Sequence, residues 1–198
     1  MKDYYIIAHR GVTSKYPENT LESFIEIKNI KSDYKLGIEF DVIMTKDKQL
    51  VINHDQHIGN INLEELDYNK SELKLCTLKD IFEEFHDTNY LLDIELKRYS
   101  NNDINIYCEL VTNLIKQYNL NYFISSFDSK IVNKLNCKQI SNKNTTDKTD
   151  ICDYNSIKDN CCGVYTLYDE NFNEDLLEEI YNSNIIYLIT DDIHKFTG

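Results

Sequence analysis

Acidic side chains recur at alternate positions in two apolar stretches of the sequence. Glu39 and Asp41 lie two residues apart in GIEFDVIM, and Glu95 follows Asp93 at the same spacing in LLDIELK. Alternate side chains of a β-strand share one face, so each stretch would present its carboxylates together. One such stretch alone is equally consistent with the solvated face of an antiparallel edge strand. Their repetition favours a shared site.

Carboxylates that converge inside a protein lose their hydration and repel one another, which is costly unless a cation lies between them. Glu39, Asp41 and Glu95 therefore predict a site for one divalent cation. Mg²⁺ and Ca²⁺ are the candidates, because these hard ions prefer carboxylate oxygens and need neither thiolate nor imidazole.

Two histidines end apolar runs in the same way. His9 follows YYIIA, and His54 follows QLVIN. If both runs are strands of one parallel barrel, both imidazoles lie at the carboxyl rim, where barrel enzymes keep their catalytic groups. Histidine exchanges protons near neutral pH, so we predict that the pair acts as acid and base, without assigning either role. Arg10 and Lys97 supply positive charge nearby, and we expect them to bind phosphate oxygens.

The order of apolar stretches predicts the elements that must position these residues. Strand-like stretches alternate with helix-like ones, which favours parallel pairing through right-handed crossovers. We predict strands at residues 4–8, 36–42, 49–53, 90–96, 122–125, 138–140, 164–167 and 185–190, and helices at 20–29, 77–85, 104–118, 129–135 and 175–181. Asn19 and Glu22 are spaced as a capping box for the first helix. The polar stretch 136–160 is a loop in the alternative interpretation.

Eight alternating units predict an α/β fold, a compact TIM (β/α)₈ barrel. The chain of 198 residues contains no linker-like segment, so a single domain over residues 1–198 is expected. The fold normally takes roughly 200 residues or more, so shortened or missing helices are expected in the C-terminal half.

Composition excludes several classes of partner. A net charge of −13 would repel nucleic acid, and the longest apolar runs are too short to cross a membrane. Neither a secretory signal nor a CxxC pair is present, so a cytoplasmic location with free cysteines is expected. The oligomeric state is left open.

The motifs that contain these residues resemble, in order and spacing, the glycerophosphodiester phosphodiesterase family. They are HRG at 9–11, PENT at 17–20, EFDV and TKD within 39–47, VINHD at 51–55, IELK at 94–97, SSFD at 125–128 and LITDD at 188–192. The resemblance implies a barrel enzyme that hydrolyses small glycerophosphodiesters to glycerol 3-phosphate and an alcohol. It also implies a divalent metal at Glu39, Asp41 and Glu95, an acid and base pair at His9 and His54, and phosphate contacts from Arg10 and Lys97.

Two alternatives accompany this interpretation. A phospholipase-D-like enzyme that acts on lysophospholipids or sphingolipids would share the metal and histidine arrangement. A catalytically silent barrel would instead bind a phosphorylated ligand or a protein partner. Turnover assays with a glycerophosphodiester and a lysolipid separate these alternatives.

Overall fold

Parallel strands close into a ring in the computed structural model of the protein, which describes residues 2–99, 103–141, 151–153, 161–166, 178 and 185–196. The strands are β1 (Lys2–Ala8), β2 (Tyr34–Met44), β3 (Leu50–Ile52), β4 (His57–Ile58), β5 (Ile61–Asn62), β6 (Leu91–Leu96), β7 (Asn121–Ser126), β8 (Lys138–Ser141), β9 (Ile151–Asp153), β10 (Gly163–Thr166) and β11 (Tyr187–Thr190). Within these residues, β1, β2, β6, β7, β8, β9, β10 and β11 pair side by side in parallel, and β11 pairs with β1. The predicted TIM barrel is confirmed.

One of the eight predicted strands forms but lies outside the ring, and another strand takes its place. Residues 49–53 are predicted as a barrel strand, but β3 pairs antiparallel with the end of β2, with Val42 opposite Ile52. The ring is completed by β9, which lies in the polar stretch 136–160 and pairs with β8 and β10. Ile151 of β9 is fully buried inside the barrel. A three-residue strand with one such side chain gives too weak a periodic signal to predict.

Three of the four helices on the outside are shorter than the sequence predicts, and the helix at 129–135 has the predicted bounds. They are α1 (Leu21–Ile25), α2 (Leu78–Phe85), α3 (Ile104–Ile115) and α4 (Ser129–Leu135), and α1 continues as a 3₁₀ turn over Glu26–Asn29. The predicted N-cap Asn19 is wrong, because Thr20 caps α1 by accepting from the backbone N–H of Ser23. The helix predicted at 175–181 lies outside the described residues except for residue 178, and so does most of the expected shortening in the C-terminal half.

Apolar side chains fill two separate regions, one on each side of the ring. Outside, strand residues such as Ile6, Phe40 and Ile94 pack with α1 to α4 in the larger cluster. A smaller cluster packs inside the barrel and consists of Ile7, Leu91, Ile140, Ile151 and Ile189. Each fully buried side chain of this size contributes about 1.5–3 kcal/mol. The interior also holds buried polar side chains, among them Asp93, whose Oδ1 accepts from Ser125 Oγ at 2.5 Å.

Among the described residues, no helix has the length and apolar character needed to cross a lipid bilayer. Among the described residues, Cys76, Cys108 and Cys161 are free thiols, as expected. The cytoplasmic location and the single domain over the whole chain remain predictions.

Candidate active site

The end of β1 forms a tight corner that turns His9 and Arg10 towards the mouth of the barrel. Arg10 and Gly11 both have positive φ angles, 55° and 89°. A Cβ atom on Gly11 would lie 2.3 Å from Ser23 Oγ, so only glycine fits this position. The backbone N–H of Arg10 donates to Glu39 Oε2 at 2.9 Å. The corner therefore also orients the first of the predicted metal ligands.

The predicted metal ligands meet because β2 and β6 are neighbours in parallel register. Asp41 lies opposite Glu95, and Glu39 lies opposite Asp93. Glu39, Asp41 and Glu95 each offer an oxygen to a group in which all three oxygens lie within 4.8 Å of one another. All three side chains are buried. The prediction that carboxylates of two strands converge is confirmed.

The protein environment acts differently on the three carboxyl groups. Burial raises the pKa of Glu39 well above its ordinary value, and the neighbouring Asp41 and Glu95 carboxylates raise it further. Burial also raises the pKa of Glu95, although the charge of Lys97 opposes this effect. Burial alone would raise the pKa of Asp41, but the charge of Lys97 and a hydrogen bond from Asn19 lower it overall. Asp41 is thus the one of these three carboxyl groups whose pKa the protein lowers.

The arrangement fits a hard divalent cation. Glu39 Oε1 is buried without a hydrogen-bond partner among the described residues. A carboxylate oxygen in that state is costly to bury unless a cation or a donor reaches it. Ca²⁺ and Mg²⁺ bind carboxylate oxygens, so Glu39, Asp41 and Glu95 form a suitable donor set.

The two cations predicted to bind phosphate border these carboxylates and already pair with acidic residues. Lys97 Nζ lies 2.5 Å from Glu95 Oε1 and 3.2 Å from Asp41 Oδ1. Although burial alone would lower the pKa of Lys97, the charges of these two carboxylates raise it overall. Arg10 Nη1 donates to Glu18 at 3.1 Å, and its Nε lies 3.5 Å from Asp41 Oδ2. Both side chains are therefore held as cations at the rim.

His9 is oriented by an acidic residue that directly follows the last strand of the ring. Its Nδ1 lies 2.5 Å from Asp191 Oδ1, and its Nε2 lies 3.8 Å from Glu39 Oε2. A carboxylate only accepts hydrogen bonds, so Nδ1 carries a proton in this contact. The Nε2 atom then lies on the side of the carboxylates, where it can exchange a proton.

His54 reaches the same rim by a different route from the one predicted. Its segment does not end a barrel strand, because β3 returns antiparallel from the tip of β2. The backbone N–H of Asn53 donates to Asp41 O at 3.0 Å, which brings the chain back to the level of the carboxylates. His54 Nδ1 lies 2.8 Å from Asp55 Oδ1, and its side chain is one-third exposed. The idea that His9 and His54 occupy equivalent strand ends is wrong, although both lie at the rim.

One pocket of about 550 Å³ joins these side chains. It is lined by six of the seven predicted site residues, namely His9, Arg10, Glu39, His54, Glu95 and Lys97. Asp41 is buried and does not line the pocket. The opposite wall is apolar and consists of Ile140, Ile151, Tyr165 and Ile189, and Arg98, Tyr99, Phe127 and Asp128 also line the pocket. The volume suits a small-molecule ligand.

Sequence reasoning missed two residues that hold the predicted groups. Asn19 donates its amide to Asp41 Oδ2 at 2.9 Å, and Asp191 accepts from His9. Asp191 directly follows β11, so the strand-end position that selected His9 also selects it. Asn19 lies in the PENT motif, but its type suggested only a helix cap.

Residues 9–146, more than half of the chain, match the glycerophosphoryl diester phosphodiesterase family. The chain belongs to this family. A glycerophosphodiester phosphodiesterase of Caldanaerobacter subterraneus is 32% identical over 62% of this chain and 58% of its own length. The lysophospholipase D GDPD1 of Rattus norvegicus is 29% identical over 65% of this chain and 46% of its own length. The chain thus spans about half the length of these curated relatives.

Solved structures of phosphodiesterases share the fold of the protein. A glycerophosphodiester phosphodiesterase from Thermotoga maritima superposes with a TM-score of 0.72 at 22% identity, with coverage of 96% of both chains. A phosphodiesterase from Oleispira antarctica, solved in complex with its product sn-glycerol-3-phosphate, has a TM-score of 0.75 at 17% identity and covers 97% of this chain and 94% of its own. These similarities extend over the whole barrel.

Proposed function

We propose that the protein is a cation-dependent phosphodiesterase that hydrolyses glycerophosphodiesters to glycerol 3-phosphate and an alcohol. The observation that carries the proposal is the single pocket in which His9 and His54 flank the buried carboxylates Glu39 and Glu95. Membership of the glycerophosphoryl diester phosphodiesterase family supports the reaction class. Its Oleispira relative with bound sn-glycerol-3-phosphate supports the proposed product.

Phosphate binding is assigned to the cations at the rim. A divalent ion held by Glu39, Asp41 and Glu95 would stabilise negative charge on the phosphate oxygens. Lys97 now contacts two of these carboxylates, so its Nζ lies at their edge and can turn towards a phosphate oxygen. Arg10 is fixed by Glu18 and by the corner after β1, which places its guanidinium beside the same site.

Proton transfer is assigned to the two histidines. One imidazole accepts a proton from the nucleophile as the new P–O bond forms. Attack by water gives glycerol 3-phosphate directly, whereas attack by the neighbouring glycerol hydroxyl gives a cyclic phosphate that water then opens to glycerol 3-phosphate. The other donates a proton to the alcohol oxygen as its P–O bond breaks. Asp191 holds the ring of His9, and Asp55 holds the ring of His54. Each role contributes roughly 10²- to 10⁴-fold to the rate.

A second candidate is hydrolysis of lysophospholipids, as in the lysophospholipase D relative. The apolar wall of the pocket favours it, because Ile140, Ile151, Tyr165 and Ile189 face the carboxylates across the cavity. An apolar surface of this kind can contact the hydrocarbon part of a lipid.

A turnover assay with three diesters tests both candidates. Glycerophosphocholine, lysophosphatidylcholine and bis(p-nitrophenyl) phosphate are incubated with the protein in Mg²⁺, Ca²⁺, Mn²⁺ or EDTA. We expect cation-dependent cleavage that His9→Ala and His54→Ala each reduce at least 100-fold. His86→Ala is the control, because the His86 side chain is half exposed and contacts Asp87 and Tyr118, neither of which lines the pocket. Absence of turnover with every diester and cation would support the silent barrel.

A further inference from the structure

His54 lies in an irregular segment, so its position depends on contacts with other parts of the chain. The segment joins β3 to β4 and passes over the rim beside β6. Asn53 bonds to the backbone of Asp41 before His54, and Gln56 O accepts from the backbone N–H of Leu63 after it. These bonds anchor the segment on both sides but leave the peptide of His54 to be fixed by other groups.

Tyr99 supplies the contact to His54 itself. Its hydroxyl donates to the backbone carbonyl oxygen of His54. Tyr99 comes two residues after Lys97, directly beyond the end of β6. The strand that carries Glu95 and Lys97 thus also leads to the residue that holds the peptide of His54.

Glu64 completes the connection from a buried position. Its Oε1 accepts the backbone N–H of Tyr99 at 3.2 Å, and its Oε2 accepts the side-chain amide of Gln56 at 3.0 Å. Glu64 is only 4% exposed. Both partners are donors, so both side-chain oxygens must accept, which a carboxylate can do and a glutamine side chain cannot.

We propose that Glu64 and Tyr99 are positioning residues that set His54 relative to Lys97 and Glu95. Glu64 binds the segment at Gln56, Tyr99 binds it at His54, and Glu64 joins the two. The His54 peptide is thereby fixed to the end of the strand that supplies the carboxylate and the ammonium group. The catalytic part of this inference rests on the proposed function.

The kinetic test uses Tyr99→Phe, which keeps the ring and removes the hydroxyl. We expect kcat to fall about 3- to 10-fold, which corresponds to one lost hydrogen bond, with KM and cation affinity unchanged. In the His54→Ala background the same substitution should have no further effect, because Tyr99 acts through His54. Tyr122→Phe is the matched control, since Tyr122 is 43% exposed and Tyr99 44% exposed. A raised KM, or additive losses in the double variant, would overturn the inference.

A spectroscopic test is independent of turnover. Imidazole resonances of the ¹⁵N-labelled protein are assigned with His54→Ala. We expect Tyr99→Phe and Glu64→Gln to shift or broaden the His54 signals and to leave those of His86 unchanged. Unchanged His54 signals in both variants overturn the inference, whether or not the protein cleaves a diester. If the signals shift in a protein that cleaves no diester, Glu64 and Tyr99 still position His54, and the proposed function is refuted.

Discussion

The side-chain amide of Asn19 donates to Asp41 Oδ2 at 2.9 Å, while its oxygen accepts the backbone N–H of Asp41 at 3.4 Å. Asn19 is buried and has a positive φ of 56°, a conformation that asparagine tolerates better than most residues. Only an amide offers a donor and an acceptor together in this geometry. Asn19 thereby orients Asp41, the carboxyl group whose pKa the protein lowers.

Asn19→Ala removes both bonds and leaves a buried carboxylate oxygen without its donor. We expect a loss of about 1–3 kcal/mol in the free energy of unfolding, and a weaker affinity for Ca²⁺ in calorimetric titration. Thr20→Ala is the matched control, because it removes the N-cap of α1 without touching Asp41. That control should also lose about 1 kcal/mol of stability but keep the affinity for Ca²⁺. Equal Ca²⁺ affinities for the two variants would contradict the assignment.

The raised pKa of Glu39 predicts that the cation-free protein loses stability as the pH rises. The folded chain binds a proton at Glu39 more tightly than the unfolded chain, so this stabilisation is complete below the ordinary carboxyl pKa. It is lost as the pH rises through the raised value, at about 1.4 kcal/mol for each unit of pKa shift. In EDTA, Glu39→Gln should therefore exceed the wild type in Tm by a margin that grows above about pH 5.

Saturating Ca²⁺ should raise the Tm of the wild type above that of Glu39→Gln. At a Ca²⁺ concentration a hundred times the Kd, the free energy of unfolding rises by about 2.7 kcal/mol in the wild type and by less in the variant. Thermal unfolding at several pH values, with and without Ca²⁺, measures both effects. Glu83→Gln, at an exposed residue of α2 that pairs with Lys79, should behave as the wild type. The interpretation fails if the Tm difference for Glu39→Gln is the same at every pH and cation concentration.

Asp191 is expected to matter for catalysis through His9. Asp191→Ala removes the acceptor of His9 Nδ1, so the ring loses both its orientation and its preferred tautomer. We expect kcat to fall about 10- to 100-fold, as for other hydrogen bonds to charged groups. Asp192→Ala should leave kcat close to that of the wild type, because the Asp192 side chain accepts from the backbone N–H of His194 and does not line the pocket. Steady-state kinetics compare the two, and equal losses would remove the role assigned to Asp191.

Gly11→Ala should destabilise the protein more than the same change at Gly59. Both glycines have positive φ, but an added Cβ meets Ser23 at Gly11 and no atom within 4 Å at Gly59. We expect a loss of about 3 kcal/mol or more at Gly11, from strain and overlap together. At Gly59 the backbone strain alone should cost about 1 kcal/mol. Urea unfolding of both variants measures the difference, and similar midpoints would show that the corner after β1 adapts.

The sequence predicts the barrel strands that are long and apolar. It fails where the position of a strand depends on which neighbour it pairs with. Val51 of β3 is buried with Ile43 and Leu63 in a cluster outside the ring, so its stretch looks like a barrel strand although it is not one. An apolar run does not reveal which strand it pairs with or in which direction. Conversely, β9 depends on its neighbours β8 and β10 more than on its own composition.

The candidate site likewise contains residues that can be grouped from their spacing in the sequence and contacts between residues far apart in the sequence. Glu39 and Asp41 can be paired from sequence because their spacing of two places them on one strand face. The partners of Asp41 and His9 lie 22 and 182 residues away, at Asn19 and Asp191. No periodicity connects such positions. The pairing of β1 with β2 brings Asn19 near Asp41, and closure of the ring between β1 and β11 brings Asp191 to His9. The neighbouring residues Asn19 and Thr20 are both good N-caps, which explains the error of one residue.

The pairing of β1 with β11 places His9 at the seam of the ring, where its backbone N–H donates to Thr190 O at 2.9 Å. During translation, the ribosome synthesises Glu39, Asp41 and Glu95 well before the strand that supplies the acceptor for the His9 ring. The carboxylates of β2 and β6 can therefore meet before β11 exists, whereas the ring of His9 has no Asp191 acceptor until the end of β11 reaches β1. The proposed proton transfer by His9 thus depends on the last-made strand of the ring.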